Sequence, residues 1–219
     1  MRMATSGELW GTLTGLNVTY AQRWLSAWAD LLLADMALME HQKLEPKPSN
    51  MFHRRALWES AVVSYGRFGF SEQKRPISPK EFVEEVTGTD GLALHERLMD
   101  WRHGHVAHRR DSEFESVETV LAFPGESTVP HGIRVVLGID CGPGLDGDFI
   151  GKFQSHIKTL RDAMYEKRLR GFGIAIKDDL DANRIAQPTE LRSPPDQATL
   201  ERYVINLCLL GLNPDGSIT

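Results

Sequence analysis

Three histidines and three arginines crowd WRHGHVAHRR, residues 101–110, in a 219-residue chain whose formal charge is −5. Imidazole titrates near neutrality and guanidinium stays charged, so the stretch holds both a proton-transfer group and a fixed cation. Three chemistries compete for it: a metal cluster, a catalytic pair, or a cationic helix end with no chemistry.

His103, His105 and His108 form H-x-H-x2-H, with Asp100 and Asp111 nearby and His95, His131 or His156 as further ligand candidates. On a regular helix His103 and His105 point about 200° apart, so they clasp one ion only if the helix unwinds at Gly104. His105 and His108, three positions apart, could share an ion. In the inert alternative His108 sits on a core stripe, and Arg102, Arg109 and Arg110 complement the helix dipole.

The surrounding sequence is mostly helical in pattern. Apolar groups at Val18, Ala21, Leu25, Trp28, Leu32, Met36 and Met39 recur every three or four residues and predict a helix over 17–41 with that stripe inward. Asn50 to Arg67 predicts a second, burying Leu57, Trp58, Ala61, Val62 and Tyr65, with Gly66 and Gly69 breaking it. Ser78, Pro79 and Glu81 read as N-cap, first helical residue and capping box of a third helix, which Gly88 stops. A fourth starts near Asp90 with Leu94, Leu98 and Trp101 inward, and the histidine-rich stretch continues it.

VETVLAF (117–123) and GIRVVLGI (132–139) are rich in β-branched residues around a turn-forming PGESTVPH, which predicts a hairpin. Phe149, Phe153, Ile157, Leu160 and Met164 predict a helix over 148–169 stopped by Gly171. Residues 171–195 read as irregular, and a last helix is expected over 196–210 with Leu200, Tyr203, Val204 and Leu207 inward. The expected fold is mainly α: a helical bundle over 1–170 with a β-hairpin at about 117–139 inserted before the last long helix, and a 171–219 extension packed on the same domain. A mixed two-layer domain is the alternative.

Arg102, a polar residue at 103 and His108 resemble the R-x4-6-H signature of the HEPN (higher eukaryotes and prokaryotes nucleotide-binding) family. LMDWRHGHVAHRR resembles the R-N-x-x-x-A-H form of its small bacterial members, with His103 in place of the commoner Asn. ALWESAVVSYGRF (56–68) is similar to their Ser-Tyr-x-Arg helix ahead of the motif helix. The resemblance covers about residues 17–170.

That resemblance implies an HEPN-like bundle, a homodimer, and RNA as partner, with metal-independent endoribonuclease chemistry and no cofactor. It also implies a toxin–antitoxin or defence setting with an antitoxin partner protein. Arg102 would stabilise the phosphate, His108 would act as acid or base, and His103 would orient them. His105, Arg109 and Arg110 add a cationic patch for a single strand. Some HEPN proteins bind or scaffold without cutting, so a non-catalytic interaction domain stays open, as does a His-cluster metal-binding protein. Arg102 and His108 lie about 240° apart around an ideal helix, so they meet only through distortion at Gly104 or across a two-fold axis.

Other features point less specifically. Residues 79–108 superficially resemble a helix-turn-helix, but the second helix is basic only at its far end, whereas recognition helices read bases with their N-terminal residues. CGPGLDGD lacks the Gly-Lys-Ser/Thr ending of a phosphate loop, and its Asp146 and Asp148 fit a solvated turn. Arg67 fits a helix-end cation. Cys141 and Cys208 form no CxxC and suit a reducing cytoplasm. MRMATSGELW has no signal-peptide core, and the apolar run WLSAWADLLLADMALM is interrupted by Asp30 and Asp35, so a cytoplasmic protein outside the membrane is expected.

Overall fold

The structure, a computed structural model, describes residues 8–70, 76–103, 115–125, 128–139, 142, 147–195, 204–213 and 215–218. It is mainly helical. Strand β1 (Trp10–Gly11) precedes α1 (Leu16–Lys43), a short 3-10 turn (Pro48–Asn50), α2 (Met51–Gly69) and α3 (Pro79–Trp101). Strands β2 (Glu115–Ala122) and β3 (Gly132–Ile139) follow, then α4 (Gly147–Met164), a π turn (Tyr165–Leu169), α5 (Arg170–Asp181) and β4 (Leu191–Arg192). Among the described residues no helix is long and apolar enough to cross a membrane.

The chain divides into two compact units. One contains residues 30–71 and 78–160, the other 1–29, 72–77 and 161–219. The first holds the aromatic core and the motif helix. Trp58 of α2 meets Trp101 of α3 and Phe153 of α4 edge-on, at centroid distances of 5.4 and 6.1 Å. Edge-to-face contact suits the ring quadrupoles and fixes three helices at one point. Arg54 of α2 donates to the carbonyls of His41 and Leu44, satisfying acceptors that the end of α1 leaves open.

In the second unit β1 pairs antiparallel with β4, Trp10 opposite Arg192. Asn17 Nδ2 and Arg184 Nε both donate to Asp179, at 2.8 and 2.7 Å, and these bonds, Arg184's first, hold that carboxyl below its usual range.

Several expectations need correction. In α1 Ala21 is buried as expected, but the other buried positions are Ala27, Leu31, Ala34, Ala37, Leu38 and His41, while Met36 and Met39 are exposed. Both stripes have helical spacing, since LLLADMALM is apolar nearly all round, and the buried one includes a histidine that a hydrophobic count passes over. Gly66 does not break α2, which runs on and ends at Gly69. A glycine costs a helix only about 1 kcal/mol, less than packing returns. Gly171 likewise does not stop the chain: the π turn carries α4 into α5, so 171–181 is helical rather than irregular. Residues 204–210 are non-helical, against the expected last helix; 196–203 lie outside the described residues.

Other expectations hold. Pro79 opens α3, although Ser78 caps through its carbonyl, which accepts the Phe82 N–H at 3.1 Å, and not through its hydroxyl. Gly88 (φ 65°, ψ −162°) divides α3 into two runs, a conformation that favours glycine. The hairpin pairs from Glu115 opposite Ile139 to Ala122 opposite Gly132.

Candidate nucleic-acid interface

Arg102 and His103 extend α3 in a widened π turn. The Arg102 amide is shared between the carbonyls of Leu98 and Met99. Its half-buried side chain runs along α2, where Gly66 leaves space: a Cβ there would lie 2.7 Å from Arg102 Cδ and 2.8 Å from Cγ. The glycine within α2 therefore has a packing role. It lets a long cationic side chain lie against helix backbone.

At its end the guanidinium sits 4.4 Å above the centroid of Phe70, the residue that terminates α2. Exposed His103 approaches the same ring edge-on, at 5.2 Å and 88°. A guanidinium over an aromatic ring is attracted by the ring's quadrupole and keeps N–H groups for hydrogen bonds. Among the described residues no carboxylate forms an ion pair with Arg102. A fixed cation and an imidazole thus share one aromatic support at the end of the motif helix.

Of the six residues expected at the site, these two are the ones described. His105, His108, Arg109 and Arg110 lie outside the described residues, as does Gly104. Among the described residues no group of three or more His, Cys, Asp or Glu is arranged to hold a metal ion. Arg67 is exposed in the last turn of α2, a place that suits a cation whatever else it does.

The same unit holds a polar cluster of Tyr65, His95 and His156; the sequence offered the two histidines as metal-ligand candidates and Tyr65 as a core residue, but not their meeting. The Tyr65 hydroxyl is 2.9 Å from His95 Nδ1 and 2.9 Å from His156 Nε2. All three residues are buried, in α2, α3 and α4. A phenol donates one proton, so one imidazole nitrogen accepts from Tyr65 and the other donates to it, which couples the two tautomers. Burial drives the His156 pKa down to about 4, and the His95 charge adds to that. Burial also lowers His95, partly offset by Glu96, and raises the Tyr65 hydroxyl well above its ordinary value. All three are therefore neutral at pH 7. The available signal was position: His95 precedes Leu98 and Trp101 by helical spacing, and His156 follows Phe153 on a buried face.

The Ser-Tyr-x-Arg phrase thereby acquires a structural content. Tyr65 is a core residue, and Gly66 at the variable position faces Arg102. Comparison with family models, with curated proteins and with solved structures yields no match to this chain.

Proposed function

We propose that the chain is an RNA-binding protein of HEPN type that cuts single-stranded RNA without a metal, as a homodimer. In this scheme a 2′-oxygen attacks the adjacent phosphorus, and the bond to the 5′-oxygen breaks. The 2′-hydroxyl proton passes to a base and the leaving oxygen receives a proton, so a cyclic phosphate remains. His108 serves in that proton transfer, and Arg102 neutralises the developing charge on the phosphate oxygens. His103 orients the pair, while His105, Arg109 and Arg110 hold the backbone of the strand. A toxin or defence setting, with an antitoxin protein as partner, completes the proposal and comes from the resemblance alone.

The observation that carries it is the state of Arg102: seated over the Phe70 ring, half-buried, and without a carboxylate partner among the described residues. A guanidinium held in that way is prepared for a bidentate phosphate. A second reading, a non-catalytic interaction module, is favoured by the exposed apolar side of the hairpin.

Wild type and His108→Ala, each incubated with mixed single-stranded RNA in EDTA, separate the two. Cleavage by wild type that falls by about 10²-fold or more in the variant supports the enzyme. No cleavage by either supports the interaction module, and cleavage that EDTA abolishes would revive the histidine metal cluster.

A further inference from the structure

The β2–β3 hairpin is amphipathic, and its apolar side is open to solvent in the single chain. Val117 opposite Leu137, Thr119 opposite Val135 and Leu121 opposite Ile133 share one face. The five aliphatic side chains there are 55–73% exposed. The reverse face mixes Ser116, Glu118 and Arg134 with Val120, Ala122 and Val136, so the side of Val117, Leu121, Ile133, Val135 and Leu137 is the more continuously apolar of the two. Among the described residues β2 and β3 pack on each other. A lone two-stranded hairpin is at best marginally stable in water, so this one needs a cover whenever the chain is folded.

We propose that the cover is a second copy of this chain, placed face to face about a two-fold axis near the Thr119–Val135 pair. A second copy is present wherever the chain is made, which a transient partner is not. The six side chains named on this face are uncharged, and Glu115, which the register places on the same side, stands at the end of the strand away from the Thr119–Val135 pair. Five such side chains present on the order of 600 Å² of surface, so a pair would remove on the order of 1,200 Å² from water, the lower end for a stable specific interface. A two-fold contact needs a self-complementary patch, and a flat aliphatic strand pair provides one. This surface shares the homodimer of the proposed function but is argued from the hairpin alone. Absence of RNA cleavage would leave it standing.

Sedimentation equilibrium of the full chain at micromolar concentration tests it. Wild type is expected at twice the chain mass of 24.6 kDa. Val135→Lys should be monomeric, whereas Val136→Lys, on the reverse face, should remain a dimer. Should Val135→Lys fail to fold, Val135→Cys in a Cys141→Ser, Cys208→Ser background answers in its place. Mild oxidation should link two chains through Cys at that position and fail to link them through Val136→Cys. A monomeric wild type, or equal behaviour of substitutions on the two faces, overturns the proposal.

Discussion

Arg102 owes its place to two neighbours of very different size, a glycine that gives it room and a phenyl ring that supports its charged end. Lysine at this position would keep the charge but lose the planar group and the two-point grip on phosphate. Deeper in the same unit, Tyr65 serves two imidazoles with one hydroxyl. Tyr65→Phe removes the oxygen and leaves two buried nitrogens without it, so it should cost about 2–4 kcal/mol, read from urea unfolding at pH 7. His156 has an ordinary pKa of 6.5 when unfolded and about 4 when folded, so the unfolded chain binds more protons between those values. Its contribution is full above pH 6.5 and is lost as the pH falls towards 4, an effect on the order of 3 kcal/mol. His95 is shifted in the same direction. Urea midpoints should therefore drop between pH 6.5 and 4, and His156→Gln should flatten that fall.

At the scale of elements, α2 is where fold and site meet. One side of it sends Trp58 into the aromatic core, and Trp58→Ala should cost about 3–5 kcal/mol in unfolding free energy. Near its end Gly66 faces Arg102. Gly66→Ala improves helix propensity by about 1 kcal/mol while forcing the arginine off its seat. Its expected outcome is near-unchanged stability with a loss of Arg102-dependent RNA cleavage; equal losses of both would show that Gly66 matters only for folding. The extents of α1 and the hairpin and the start of α3 were legible because capping residues, β-branched runs and turn residues act locally. Orientation was less so. The stripe of α1 was misread because the helix is apolar on several sides, and His95 and His156 occupy core positions that only their shared partner Tyr65 explains. Gly66 and Gly171 were misread as breaks because the packing that compensates them comes from elsewhere in the chain.

The whole molecule is acidic, so on the proposed reading RNA would be held by a few local cations against a repulsive net field. If Arg102, Arg109 and Arg110 each neutralise one phosphate, the logarithm of the RNA binding constant should fall against the logarithm of salt with a slope of about −2. Fluorescence anisotropy with a labelled single strand measures it, and a slope near zero would remove RNA from the account. Within the histidine-rich stretch, sequence alone identified Arg102 and His103 as candidates. What it could not supply was the ring they share, since Phe70 lies more than thirty positions earlier and comes alongside only when α2 and α3 pack.

The most direct test of the central claim is the cleavage rate of a single-stranded RNA in EDTA by wild type and by Arg102→Lys, with the product ends identified. Cyclic phosphate ends from wild type, and a rate lowered by about 10²-fold in the variant, are the predicted result. Equal rates from the two proteins, or intact RNA with wild type, would contradict it.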